Sequence, residues 1–106
     1  MDTFHRLPIP HQQLAAFAER WRVRSLSLFG SALRGDFRPD SDVDLLVEFH
    51  DDARPSLFDL FRMEDELAGM FGRRVDLTTR QSVQESPNWI RRRETLNTAR
   101  TIYDAA

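Results

Sequence analysis

The chain has 106 residues, which suits one domain over 1–106 and is too short for a second domain beside it. A net charge of -2 and an apolar fraction of 41% are those of an ordinary globular protein and argue against direct binding to nucleic acid. The chain has no Cys, which excludes disulfides and thiolate metal sites. The early apolar run 14–18 is too short for a signal sequence or a membrane span, so we expect a cytoplasmic protein without membrane contact.

The first part of the chain predicts an arm, a helix and a strand, in that order. Residues 1–10 contain two prolines and no periodicity, so we expect an irregular N-terminal arm. Apolar residues at helical spacing predict an amphipathic helix over 11–21. Alternating apolar residues and serines predict a strand over 23–29 that ends in a tight turn at Gly30.

The middle of the chain predicts a buried strand and a long helix. The apolar run 43–49 shows little alternation, which is typical of a central strand buried on both faces. Ser56 and Asp59 have the spacing of a capping box that opens a helix, and Gly72 closes it. We expect the acidic residues 64–66 on the solvated side of that helix.

The last part of the chain predicts a short strand and a C-terminal helix. We expect a strand over 73–79 centred on Asp76, followed by a polar connection over 81–88. We expect a C-terminal helix over 87–104, with its start at the end of this connection. The order of these elements predicts an α/β fold: a small mixed sheet with helices packed mainly on one side.

Asp42 and Asp44 carry the strongest chemical signal. Because side chains alternate along a strand, both carboxylates point to the same side. Two carboxylates so close repel each other unless they share a proton or surround a cation, so a divalent metal is the expected partner. Asp76 is a third acid between apolar residues on a later strand. For Asp76 alone, a salt bridge to a neighbouring arginine explains the sequence equally well.

Gly30 and Ser31 suggest a phosphate site next to these acids. A strand that leads through a glycine turn into a helix presents free backbone N–H groups to an anion, and glycine lets the backbone approach it closely. The alternative is that Ser31 only caps a helix. Two Mg²⁺ ions, each roughly 3.5–4 Å from the other, can activate an attacking oxygen and neutralise a leaving pyrophosphate, and three carboxylates are a sensible minimum to hold them.

The sequence resembles the minimal nucleotidyltransferases of the DNA polymerase beta superfamily, a group often found as the antitoxin beside HEPN-type RNase toxins. The resemblance covers about residues 22–79, the expected catalytic core. The motifs that carry it are Gly30-Ser31, Arg34-Gly35, the run from Ser41 to Val47, and Val75-Asp76-Leu77.

The resemblance implies a role for each matching residue. Gly30 and Ser31 would hold the nucleoside triphosphate, and Arg34 would contact phosphate. Asp42 and Asp44 would bind Mg²⁺. Asp76 would bind the metal beside the attacking hydroxyl and help to deprotonate it.

The small size of the chain points to an acceptor supplied by another protein. We hypothesise that ATP is the donor and that AMP passes to a hydroxyl, that of a Tyr, on a cognate HEPN toxin, with which the chain would form a hetero-oligomer. One alternative is a non-catalytic antitoxin that neutralises the toxin by binding. Another is nucleotidyl transfer to a small molecule.

Overall fold

The computed structural model describes residues 2–4, 7–30, 42–85, 87–88, 90, 93 and 97–105. The elements in chain order are β1 (Asp2–Phe4), β2 (Leu7–Ile9), α1 (His11–Trp21), β3 (Val23–Phe29), β4 (Val43–Phe49), α2 (Leu57–Phe71), β5 (Val75–Thr79), α3 (Arg80–Gln84) and β6 (Arg100–Asp104). Within these described ranges, no helix has both the length and the apolar character needed to cross a membrane.

A four-stranded mixed sheet forms the centre of the molecule, with the strand order β5-β4-β3-β6. β4 runs parallel to β5, and β3 runs antiparallel to both β4 and β6. The predictions of a small mixed sheet and of a central position for β4 are therefore confirmed. The bounds of α1, β3 and β4 are those predicted from hydrophobic periodicity, whereas β5 begins two residues later than predicted.

One face of the sheet builds the hydrophobic core with α1 and α2. Side chains alternate along each strand, so Leu45 and its alternate neighbours point to this face. The buried core comprises Ile9, Leu14, Phe17, Ala18, Val23, Leu26, Leu28, Val43, Leu45, Val47, Met63, Leu67, Phe71 and Val75. The packing of α1 and α2 on the same face confirms the prediction of helices mainly on one side. The opposite face is partly covered too, because Leu46, which alternates with Leu45, is only 3% exposed.

Helix α2 has the predicted signals at both ends. The Ser56 hydroxyl accepts a hydrogen bond from the Asp59 backbone N–H at 3.1 Å, and the Asp59 carboxylate accepts one from the Ser56 N–H at 2.9 Å. This reciprocal pair is a capping box, and it satisfies donors that the first helical turn leaves open. At the other end, Gly72 has a φ of 71° and donates its N–H to the Ala68 carbonyl at 2.9 Å.

An exposed ion pair connects the turn after α1 to the loop after β4. Arg22 adopts a φ of 60° at the end of α1, and its guanidinium donates a hydrogen bond to the Asp52 carboxylate. This hydrogen bond lowers the pKa of Asp52 and raises the pKa of Arg22. Because both groups are exposed, the pair contributes little to the stability of the fold.

The prediction of an irregular arm over residues 1–10 is wrong. β1 and β2 pair as an antiparallel hairpin, in which Thr3 lies opposite Pro8. Proline is tolerated there because a two-stranded ladder has outer edges where a missing N–H costs little. Ile9 is buried in the core and anchors the hairpin to the rest of the domain.

The prediction of a helix through residues 87–104 is also wrong at its C-terminal end, where β6 pairs with β3. Thr101, Ile102 and Tyr103 are β-branched or aromatic residues that favour a strand once a neighbouring strand offers backbone partners. Leu26 pairs with Tyr103 and the next residue, Ser27, pairs with Thr101, so Ile102 is the extra residue of a β-bulge.

The segment predicted as a polar connection over 81–88 begins with a short helix, α3. The Thr79 hydroxyl accepts a hydrogen bond from the Ser82 backbone N–H at 3.0 Å and caps this helix. Threonine is a good N-cap, but its position at the end of β5 conceals that role in the sequence.

We expect Ser56→Ala to lower the free energy of unfolding by about 1 kcal/mol, because it removes the side-chain acceptor at the start of α2. Denaturant unfolding measures this change. The matched control is Ser82→Ala, which removes an exposed serine hydroxyl but keeps the backbone N–H that Thr79 caps. Equal losses in the two variants would contradict a stabilising role for the capping box.

Candidate active site

Two of the predicted acids lie side by side on the sheet face opposite α1 and α2. Asp44 of β4 and Asp76 of β5 are register partners on adjacent parallel strands. Neighbouring strands are about 4.8 Å apart, and partners in register point to the same face. Asp42 lies two residues before Asp44 and by alternation points the same way. We call the face that carries Asp42, Asp44 and Asp76 the acid face.

The glycine turn after β3 packs directly against one of these acids. Gly30 has a φ of 71°, and a Cβ added to it would lie 2.3 Å from Oδ2 of Asp44. Any larger residue would therefore push the Asp44 carboxylate away and would also be strained in its backbone. As predicted, β3 ends immediately before Gly30, whose positive φ is typical of a turn glycine. Ser31 and Arg34 lie outside the described residues.

Arg74 and Arg80, two of the neighbouring arginines that could have formed a salt bridge with Asp76, lie close to other acids instead. Nε of Arg74 lies 3.8 Å from Oδ1 of Asp42, and Nε of Arg80 lies 3.5 Å from Oε2 of Glu48. The Arg74 and Asp42 side chains are 83% and 49% exposed, so water screens their attraction and the pair contributes little to stability.

The donor set of the acid face suits a hard divalent cation that shares its ligands with a substrate. The described side chains contain no group of three or more acidic or histidine residues already gathered around a metal position. Mg²⁺, however, is commonly held by one or two carboxylates, with substrate phosphates and water completing its shell. Asp44 and Asp76, in register on one face, supply such carboxylates, and Gly30 has no side chain that would displace the Asp44 carboxylate.

The sequence prediction missed the contact between Glu64 of α2 and the backbone of β5. Residues 64–66 were expected on the solvated side of the helix, yet Glu64 is half-buried and its Oε2 accepts the Leu77 backbone N–H at 2.8 Å. The spacing could have indicated this partial burial, because Glu64 lies four residues after Leu60 and three before Leu67, at the border of the apolar stripe.

Glu66 is a second correction to the same prediction. Its carboxylate accepts a hydrogen bond from Nε1 of Trp21 at 2.8 Å and also pairs with Arg20. Glu66 thus joins α2 to α1, while Glu64 joins α2 to β5. Of the three acids, Asp65 is exposed as expected.

A cavity of about 660 Å³ opens at the carboxyl ends of β4 and β5, away from the start of β4 where the acids lie. Glu48, Leu60, Thr79 and Arg80 are among the residues that line it. Glu48 follows Asp44 by four residues, which in a strand is roughly 13 Å. The cavity and the acids are therefore separate features of the same strands.

Comparison with known proteins shows similarity to nucleotidyltransferases. A family model described as the nucleotidyltransferase domain matches residues 11–102. The protein adenylyltransferase MntA of Thermococcus cleftensis is 42% identical over 66 residues, which cover 62% of this chain and 65% of that protein. The chain thus matches less than two thirds of the length of this curated relative.

Solved structures share the fold. A structure described as a minimal nucleotidyltransferase superposes with a TM-score of 0.63 at 31% identity and covers 84% of this chain and 85% of that chain. A toxin–antitoxin structure with AMP-PNP superposes with a TM-score of 0.67, covering 90% of this chain and 73% of that one. Its identity is 15%, so it supports the fold alone.

We expect Gly30→Ala to weaken Mg²⁺ binding about tenfold, because the added methyl group displaces the Asp44 carboxylate. The matched control is Gly72→Ala, since Gly72 has the same φ of 71° but no atom within 4 Å of an added Cβ. Both variants should lose about 1–2 kcal/mol of stability through backbone strain.

Titration of the backbone amide resonances with Mg²⁺ measures the affinity, and thermal unfolding measures the stability. Equal Mg²⁺ affinities in the two alanine variants would show that the close approach of Gly30 to Asp44 has no part in the site.

Proposed function

The chain belongs to the nucleotidyltransferase domain family, and we propose that it is an antitoxin that transfers AMP from ATP to a tyrosine hydroxyl of a partner HEPN-type RNase toxin. The observation that carries this proposal is the register of Asp44 with Asp76, which brings two carboxylates together on the sheet face opposite α1 and α2. Residues 22–79 contain all of the described acids in this proposal and form its catalytic core.

Two similarities support the donor and the class of acceptor. The Thermococcus cleftensis relative is named a protein adenylyltransferase, and the toxin–antitoxin structure with the same fold contains AMP-PNP, an analogue of ATP. The HEPN toxin and its tyrosine are inferred from the resemblance of the motifs around Gly30, Asp42 and Asp76 to minimal nucleotidyltransferases.

The proposed roles of the individual residues follow from the resemblance to minimal nucleotidyltransferases. Asp42 and Asp44 hold Mg²⁺ at the start of β4, and Asp76 holds the metal nearest the acceptor. Gly30 and Ser31 bind the triphosphate, with Arg34 on a phosphate oxygen. Two Mg²⁺ ions, when bound, supply Lewis-acid activation of the hydroxyl and neutralise charge on the leaving group.

The proposed reaction is a single displacement at the α-phosphorus of ATP. The tyrosine oxygen forms a bond to this phosphorus as the bond to the bridging oxygen of the β-phosphate breaks, and pyrophosphate leaves. Asp76 accepts the hydroxyl proton, which requires its carboxylate to be ionised and within reach of the acceptor. Asp44, held beside it by the sheet, would hold the Mg²⁺ that neutralises charge on the donor phosphates.

A second candidate function is neutralisation by binding alone. It is favoured by the apolar surface at the start of α2, where Leu57, Phe58 and Phe61 are 66%, 78% and 53% exposed. Exposed large apolar side chains that lie together often mark a protein contact. In this case the acids would be dispensable for neutralisation and the aromatic residues would not.

We expect Asp44→Asn to reduce transfer of label from α-³²P-ATP to the partner by about 100-fold or more, because it removes a charge that holds the metal. The assay uses the co-purified product of the adjacent reading frame as acceptor, with Mg²⁺ present. The matched control is Asp52→Asn, an exposed aspartate in the loop after β4 that pairs with Arg22, and it should leave labelling unchanged.

Undiminished labelling by Asp44→Asn would rule out the proposed chemistry. Growth assays separate the two candidate functions. Under the catalytic proposal, Asp44→Asn fails to protect cells from the partner. Protection by Asp44→Asn, together with loss of protection in a Phe58→Ser/Phe61→Ser double variant, would instead establish neutralisation by binding.

A further inference from the structure

Glu64 joins α2 to the outer edge of β5, one residue beyond Asp76. Its Oε2 accepts a hydrogen bond from the Leu77 N–H at 2.8 Å. A carboxylate that accepts from a backbone N–H makes a charge-assisted hydrogen bond, and half-burial of Glu64 shields this bond from water.

The directions of the backbone groups explain why Leu77 needs this acceptor. The Arg74 carbonyl accepts the Val43 N–H at 2.9 Å, so Arg74 directs its backbone groups toward β4. Because these directions alternate along a strand, Asp76 also faces β4 and Leu77 faces outward. β5 is an outer strand of the described sheet, so the Leu77 N–H has no strand on that side to bond with.

We propose that Glu64 is a positioning residue for Asp76. The inference rests on the proposed function, since it assigns Glu64 a role through the acid nearest the acceptor. Strand β4 holds the peptide groups of Asp76 from the inner side, and Glu64 holds the next N–H from the outer side. This two-sided hold keeps β5 from shifting and keeps the Asp76 carboxylate beside Asp44.

The chain offers a matched control on the same helix. Glu66 lies two residues after Glu64 and bonds Trp21 of α1 instead of β5. Removal of the Glu66 carboxylate breaks the contacts of α2 with Trp21 and Arg20 of α1, whereas removal of the Glu64 carboxylate breaks the contact with β5, the strand that carries Asp76. Glu64→Gln is the conservative variant, because its amide oxygen still accepts from the Leu77 N–H.

The experiment compares amide hydrogen exchange and Mg²⁺ titration by NMR in the wild type, Glu64→Ala, Glu64→Gln and Glu66→Ala. We expect the Leu77 amide of Glu64→Ala to exchange about tenfold faster, since its acceptor is gone. We also expect Mg²⁺ affinity, read from the Asp44 and Asp76 amide shifts, to fall about tenfold. Glu64→Gln should restore both values to within about threefold, and Glu66→Ala should change neither.

The outcomes separate the role of Glu64 from the proposed function itself. Faster Leu77 exchange with unchanged Mg²⁺ affinity in Glu64→Ala overturns the positioning role. An equal loss of affinity in Glu66→Ala also overturns it, because the effect would then be general destabilisation. Absence of Mg²⁺-dependent shifts at Asp44 and Asp76 in the wild type would overturn the proposed function. If Glu64→Ala does not fold, Glu64→Asp replaces it in the same comparison, because its shorter side chain withdraws the carboxylate from the Leu77 N–H.

Discussion

Parallel pairing of β4 with β5 brings together groups that are far apart in the sequence. Asp44 and Asp76 are separated by a loop and the whole of α2, yet the register makes them neighbours. Like charges at this spacing repel each other, so the pairing must be held by interactions elsewhere. The core supplies them, because Val43, Leu45 and Val75 flank the two acids in sequence and are buried on the opposite face. The backbone beneath each carboxylate is therefore held rigidly before any ligand arrives.

The two faces of the sheet divide the tasks of stability and chemistry. α1 and α2 cover one face with apolar side chains, and the other carries acids together with the partly shielded Ser27 and Thr101 hydroxyl pair, whose oxygens lie 3.4 Å apart. Since side chains alternate along β4, Asp44 lies on the acid face between the core residues Val43 and Leu45, and the buried Leu46 lies on the same side as Asp44. A shift of one residue in register would bury Asp44 in the core, which makes the observed register strongly favoured.

The sequence predicted those features that have local signals. The capping box at Ser56, the glycine ends at Gly30 and Gly72, and the apolar periodicity of α1 and β4 are each encoded within a few residues, and the structure confirms them. The hairpin β1–β2 and the strand β6 form because a partner strand accepts their backbone groups, and no local pattern carries that information.

The candidate site was likewise predictable only in part. Alternation along a strand predicts that Asp42 and Asp44 share a side, but the position of Asp76 beside Asp44 depends on the strand register. Glu64 escaped prediction because its partner is a backbone N–H rather than a side chain.

Both outer strands of the described sheet have features that disfavour the addition of a further strand. On β5, Glu64 already occupies the Leu77 N–H and places a negative charge at the edge, and on β6 the bulge at Ile102 disturbs the spacing that an incoming strand would need. A sheet with such edges resists growth into intermolecular aggregates at both ends. The molecule can therefore present apolar residues on α2 to a partner without at the same time offering its backbone to other copies of itself.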